Sequence, residues 1–131
     1  GYDRILTVLS GEGLLLNNQE LGPFEVIDFQ GEDQIDCAPI NEAVEDLGVI
    51  FKRDQYQCFM QILDISAPMS MAIEEGTHFF LALSGQIEID GTELKSPDFL
   101  RVDEAGRLEL KAAKYPAHAL CIGIVQGPIK H

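Results

Sequence analysis

Two side chains that could contact a ligand occupy the same place in a repeated phrase. Arg4 lies seven residues before the glycine of Leu9-Ser10-Gly11, and His78 lies seven residues before the glycine of Leu83-Ser84-Gly85. Arginine carries a planar fork of N–H donors that suits a carboxylate, whereas histidine can donate or accept a hydrogen bond, or bind a metal. The repeat therefore places two different chemistries at one position of a common unit.

A second arginine extends the first of these possibilities. Two arginines, Arg4 and Arg53, with Asp46 to orient them, predict a site for an acidic small molecule. The alternative is that Arg4 and Asp46, or Asp3 and Arg53, form structural ion pairs at strand ends. The aromatic side chains that could line this site, or lie in the core instead, are Phe29 and Tyr56.

The strongly acidic composition restricts the kinds of molecule that the protein can bind. The 131 residues carry 9 basic and 22 acidic side chains, which gives a formal net charge of −13. Such a surface repels phosphate backbones and anionic lipids, so nucleic-acid and membrane partners are not expected. No apolar run approaches the roughly 20 residues that a membrane-spanning helix needs, and no signal peptide is recognisable at the start.

The cysteines point to a reducing compartment. Cys37, Cys58 and Cys121 are odd in number, contain no C-x-x-C pair and lie among apolar neighbours. They are therefore predicted to be buried, reduced thiols, and the protein to be cytoplasmic. Other catalytic patterns are missing, since no Gly-rich phosphate loop or Gly-x-Ser-x-Gly motif is present.

The elements that must position these residues are short strands. Apolar and polar residues alternate in Gln86–Asp90 and in Arg107–Leu110, and turn residues separate the apolar stretches. Asp90-Gly91 predicts a tight hairpin. Only residues 41–53 have helical spacing, and we interpret their first part as a loop or single turn and Leu47–Phe51 as a strand. The pattern predicts an all-β sandwich or barrel.

Turn residues repeat as well. Gly11 matches Gly85 and Pro23 matches Pro97, both at an offset of 74 residues, and Gly31 matches Gly106 at 75. Because glycine and proline restrict the chain path, two copies of one β-unit are predicted, at 1–66 and 67–131.

Several motifs resemble the HutD/Ves family of bicupins. They are "DRILTVLSGEGLLL", "LGPFEVIDFQGEDQIDC" and "VEDLGVIFKRDQ", in which Asp46 and Arg53 match the family pattern, while Gly48 and Ile50 replace its usual Asn and Met. The resemblance covers most of the chain. It implies two tandem cupin-like, jelly-roll barrels packed into one compact unit.

The resemblance also implies a function. HutD-like proteins are associated with histidine utilisation as non-catalytic, small-molecule-binding regulators, without a cofactor. It implies an acidic ligand such as urocanate or a formyl or formimino derivative of glutamate. We expect Arg4, Asp46, Arg53 and His78 to contact it. The Ves side of the resemblance implies instead a stress-associated protein of unknown activity.

Family members usually carry several tens of residues before the Asp-Arg pair, which here is Asp3-Arg4. The first barrel is therefore expected to lack strands, and the open edge suggests a homodimer.

A metal-dependent enzyme is the alternative from another class. Metal cupins place histidines and a glutamate at fixed distances from the two turn glycines, because alternate strand residues face the barrel interior. Counted from Gly85 and Gly106, these positions hold Glu74, His78 and Glu109, which could form a metal site. In the first half, Arg4 occupies a ligand position and excludes a cation.

Overall fold

Every regular element in the described part of the chain is a β-strand. The computed structural model describes residues 1–41, 43–96 and 98–127, and these contain strands β1 to β14 and no helix. Accordingly, none of these residues form a helix long and apolar enough to cross a membrane. The strands form four sheets in two pairs, as a tandem cupin-like arrangement requires, so the predicted all-β fold is confirmed.

The N-terminal unit comprises Gly1–Gln57 and, among the described residues, Gly127. It contains two antiparallel three-stranded sheets, with strand orders β4-β1-β6 and β3-β2-β5. Leu6 and Val8 of β1 form a core with leucines of the second sheet. The strands are β1 Tyr2–Ser10, β2 Leu14–Leu16, β3 Gln19–Leu21, β4 Val26–Gln30, β5 Cys37–Pro39 and β6 Glu45–Lys52.

The C-terminal unit comprises Cys58–Gln126. Its two four-stranded sheets have the orders β12-β9-β14-β7 and β11-β10-β13-β8. The largest buried side chain of its core is Phe80 of β9. The strands are β7 Tyr56–Ile65, β8 Met69–Ile73, β9 Thr77–Ser84, β10 Gln86–Ile89, β11 Thr92–Lys95, β12 Phe99–Val102, β13 Gly106–Ala112 and β14 Ala117–Gln126.

Six strands of each unit follow the same topology. Strands β1 to β6 pair among themselves as β9 to β14 do, whereas β7 and β8 have no counterparts among the described residues of the N-terminal unit. The chain divides between Gln57 and Cys58, earlier than the expected boundary between Ser66 and Ala67. The reason is that β7 lies beside β14, and β8 pairs with β13, inside the C-terminal unit.

The repeated Leu-Ser-Gly phrase ends β1 in the N-terminal unit, and its counterpart β9 in the C-terminal unit, at a bulge. Pairing skips Leu9 between β1 and β6, and it skips Leu83 between β9 and β14. The serine then bonds the opposite strand in both copies, Ser10 to Glu45 and Ser84 to His118. Both glycines have positive φ, 92° and 68°, which explains why the phrase ends in glycine.

The predicted hairpin at Asp90-Gly91 is confirmed. Both residues have positive φ, as a two-residue type I′ turn requires, and they join β10 to β11. The predicted strand Leu47–Phe51 is confirmed within β6.

The match of Gly31 with Gly106 is wrong, because Gly31 follows β4 whereas Gly106 begins β13, the counterpart of β5. Pro97 lies outside the described residues.

All three cysteines are free, but their predicted burial is wrong for one of them. Cys37 is exposed at the start of β5, while Cys58 is half-buried and Cys121 is buried. Burial raises the pKa of both Cys58 and Cys121 to about 11, which keeps these two thiols protonated at neutral pH.

Candidate functional site

The register of β1 places Arg4 beside aromatic and apolar side chains on one face of its sheet. Arg4 pairs with Phe29 of β4 and with Ile50 of β6, and Tyr2 pairs with Lys52. Cross-strand partners share a face, and so do residues two apart along a strand. These five residues are called the Arg4 face. It continues the core face of β1, because Leu6 and Val8 follow Arg4 at the same period.

Two cations of the Arg4 face lie over aromatic rings. The Arg4 guanidinium carbon is 5.4 Å from the Phe29 ring centroid, and the Lys52 Nζ is 6.0 Å from the Tyr2 ring centroid. Ile50 is 62% exposed, so this end of the face is open to solvent. The arrangement provides two positive charges beside an accessible apolar surface.

Neither cation forms an ion pair within the described residues. This is notable because acidic side chains outnumber basic ones by 22 to 9. Among the other described cations, Arg53, Arg101 and Lys111 have carboxylate partners. Lys95, Arg107 and Lys114 form no ion pair within the described residues. Arg4 and Lys52 therefore retain their capacity to bind an anion from solution.

The structure does not bring the three predicted members of the arginine set together. Asp46 pairs with Val8, four residues along β1 from Arg4, which corresponds to about 13 Å. Arg53 instead donates from Nε to Asp3 Oδ1 at 2.7 Å and also pairs with Glu32. The structural ion pair between Asp3 and Arg53 is thus the alternative that the structure shows.

The two aromatic side chains expected near the arginines differ in position and exposure. Phe29 lies under Arg4 and is half-buried, whereas Tyr56 begins β7 with 40% of its surface exposed. Lys52, Tyr2 and Ile50 did not emerge from the sequence. A period of two from Arg4 gives Tyr2, but Ile50 and Lys52 follow only from the register between β1 and β6.

In the C-terminal unit, His78 lies at the wall of a cavity of about 390 Å³. The side chain is buried, with 1% of its surface exposed, and neither Nδ1 nor Nε2 has a hydrogen-bond partner among the described residues. Its ring centroid is 5.9 Å from that of Phe59. The cavity, here called the His78 cavity, is lined by Phe59, Gln61, Met71, Ala72, Ile73, Glu74, His78 and Cys121.

The environment of His78 favours the neutral imidazole. Burial lowers the pKa of His78 below its ordinary value of 6.5, and the nearby Glu74 carboxylate opposes this shift. A neutral ring has one N–H donor and one acceptor nitrogen. Because an unpartnered buried polar atom costs about 1–3 kcal/mol, His78 carries an unused and costly hydrogen-bonding capacity.

The alternative metal set is not assembled. Glu109 alternates along β13 with the buried Leu108 and Leu110, so its side chain lies on the outer face and borders a different cavity, of about 580 Å³. Glu109 was selected by counting from Gly106, and that count did not take account of the alternation of faces along β13. No group of three His, Cys, Asp or Glu side chains in residues 1–41, 43–96 and 98–127 could hold a metal ion.

Comparison with known proteins identifies relatives of this chain. A family model described as HutD matches residues 1–120. An uncharacterised 21.2 kDa protein in the 3′ region of hutC in Pseudomonas putida is 32% identical over 94 residues. That alignment covers 68% of this chain and 48% of the relative, so it spans about half the length of the relative.

Two solved structures share the fold. HutD from Pseudomonas fluorescens SBW25, in a formate condition, superposes with a TM-score of 0.81 at 21% identity, covering 98% of this chain and 70% of its own. A conserved protein of unknown function from Pseudomonas aeruginosa PAO1 gives 0.77 at 22% identity, with coverages of 97% and 73%. At these identities the likeness establishes the architecture alone.

Proposed function

Because this chain belongs to the HutD family, we propose that it is a non-catalytic protein that binds an acidic metabolite of histidine utilisation at the Arg4 face. The candidate ligands are urocanate and the formyl and formimino derivatives of glutamate, each of which carries at least one carboxylate. The observation that carries the proposal is the Arg4 guanidinium, which lies on the core face of β1 without a carboxylate partner among the described residues.

The geometry of the Arg4 face suits such a ligand. The Arg4 guanidinium can donate two parallel hydrogen bonds to a carboxylate, and stacking on Phe29 restricts its orientation. Lys52 adds a second positive charge on the same face. The exposed Ile50 offers an apolar surface on which the carbon skeleton of the ligand can lie. Local positive charge is needed here, since the net charge of −13 repels anions at longer range.

We test the proposal by calorimetric titration of urocanate, N-formylglutamate and formiminoglutamate into the wild type and Arg4→Gln. A hydrogen bond to a charged group contributes about 1.5–3 kcal/mol, so loss of the Arg4 guanidinium should weaken binding about tenfold or more. Thermal midpoints should follow, since a ligand that binds the native state raises stability with its concentration.

Arg101→Gln is the matched control. The Arg101 guanidinium carbon lies 5.9 Å from the Phe79 ring centroid, in the same kind of contact, but Arg101 is paired with Asp103. Its loss should leave the affinity unchanged. If no acid of this class binds, or if Arg4→Gln binds as tightly as Arg101→Gln does, the proposal fails.

A further inference from the structure

We propose that the His78 cavity is a second ligand site, which takes a small planar organic cation with N–H donors, of the amidinium type. This inference does not depend on the ligand proposed for the Arg4 face. Its starting point is a side chain that is 99% buried at the wall of a cavity of about 390 Å³, with both ring nitrogens unpartnered in the described structure. Native proteins rarely leave such atoms unpaired, so a bound group that pairs with them is expected.

The walls of the His78 cavity fit a flat, partly apolar molecule. Phe59, Met71 and Ile73 contribute apolar surface, and the volume lies within the range of small-molecule pockets. The Phe59 ring occupies the space that a side chain would fill at the position opposite His78. Gly123 pairs with His78 across β9 and β14, and a Cβ atom on Gly123 would overlap the Phe59 ring.

The charges around the His78 cavity favour a cation. Glu74 is the only charged side chain that borders it among the described residues, and no Lys or Arg does. The face of the Phe59 ring carries partial negative charge and attracts cations. The neutral His78 ring has an acceptor nitrogen that is without a partner among the described residues. The Cys121 thiol stays protonated and contributes no charge of either sign.

These features together select the class of ligand. A planar amidinium can donate one N–H to His78 and another to the Glu74 carboxylate while its apolar body contacts Phe59. A carboxylate in the same place could accept from the His78 N–H, but it would face the Glu74 carboxylate and the negative face of the Phe59 ring without a positive charge to compensate. The two candidate sites of the chain therefore have opposite charge preferences, anionic at the Arg4 face and cationic at the His78 cavity.

The test uses three probes of nearly one shape and different charge: benzamidine, benzamide and benzoate. Binding is followed by NMR, from chemical-shift changes of the Phe59 and His78 side chains during titration. We expect benzamidine to bind, benzamide to bind about tenfold more weakly, and benzoate to leave these signals unchanged. Arg4→Gln should bind benzamidine as the wild type does, which separates this test from that of the Arg4 face.

Variants assign the binding to the cavity. Glu74→Gln should reduce the affinity for benzamidine about tenfold and leave that for benzamide unchanged, and Glu75→Gln is the control because Glu75 does not line the cavity. His78→Leu, which removes both nitrogens at similar volume, should weaken the binding of both probes without lowering the thermal midpoint. The proposal is overturned if benzoate binds as well as benzamidine, if Glu74→Gln and Glu75→Gln have equal effects, or if His78→Leu binds normally.

Discussion

Arg4 and His78 occupy equivalent positions in the two units but lie in opposite environments. His78 pairs with Gly123, over which the Phe59 ring of β7 packs. The equivalent partner of Arg4 is Ile50, which remains 62% exposed, and the described N-terminal unit has no counterpart of β7. An arginine can keep its charge in contact with water, whereas the buried position favours a residue that can become neutral.

At this scale we predict that His78→Leu stabilises the protein, most strongly in acid. Removal of two unpartnered buried nitrogens should raise the free energy of unfolding by about 1 kcal/mol at pH 7.5. Since the pKa of His78 is lowered in the native state, the unfolded chain takes up this proton at a higher pH than the native chain does, and the wild type loses stability as the pH falls below 6.5. The variant keeps this stability. Denaturant titrations at pH 7.5 and 5.5 measure the difference.

Phe80→Leu is the control for this prediction. Phe80 is fully buried two residues further along the same face and does not titrate, so its loss should lower stability by about 1 kcal/mol or more at both pH values alike. A His78→Leu variant that is less stable than the wild type at pH 7.5 would show that the His78 nitrogens are partnered in solution.

At the scale of elements, the repeated glycine should tolerate alanine differently in its two copies. At Gly85 φ is +68° and no atom lies within 4 Å of an added Cβ, so Gly85→Ala should cost only the backbone strain, about 1 kcal/mol. At Gly11 φ is +92°, and the Cβ would lie 2.9 Å from the carbonyl oxygen of Ala43 and 2.7 Å from Val44 Cγ1. We expect Gly11→Ala to cost about 2–3 kcal/mol.

Scanning calorimetry of both variants checks this difference. Gly91→Ala serves as the control, because Gly91 also has positive φ and open space around it, and its midpoint should match that of Gly85→Ala. Equal losses for Gly11→Ala and Gly85→Ala would show that the loop containing Ala43 and Val44 yields to the methyl group, and that backbone strain alone determines the cost.

Strand patterns and turns could be predicted from the sequence because they depend on neighbouring residues. The alternation of Gln86–Asp90 and the turn at Asp90-Gly91 are local, and both are confirmed. Register between distant strands is not local, and a shift of one residue moves a side chain to the other face. For this reason Asp46 and Glu109 were expected where the pairing does not place them, and the position of Phe29 beside Arg4 follows only from the register of β1 and β4.

For the whole molecule, the open edge of β6 and the negative charge act in opposite directions. Among the described strands, β6 is the last of the sheet β4-β1-β6, and its eight residues offer backbone groups on one side to another chain. Two copies that paired through β6 would bring together two formal charges of −13. Edge pairing therefore favours the proposed homodimer, and long-range repulsion opposes it.

We accordingly predict that salt promotes self-association. The Debye length falls from about 30 Å at 0.01 M to about 10 Å at 0.1 M ionic strength, so the repulsion is largely screened while backbone pairing is not. Light scattering at fixed protein concentration should show a larger dimer fraction in 300 mM than in 10 mM NaCl at pH 7.5, and a smaller salt effect at pH 5, nearer the sequence pI of 4.4.

Two neighbouring proline variants show whether β6 is the surface that pairs. Along an edge strand, alternate N–H groups point to the neighbouring strand and to the open side. Of Val49→Pro and Ile50→Pro, one should therefore lose a bond to β1 and unfold at lower temperature, and the other should keep its midpoint but no longer associate. A chain that stays monomeric at every salt concentration, or two folded proline variants that still dimerise, would exclude pairing through β6.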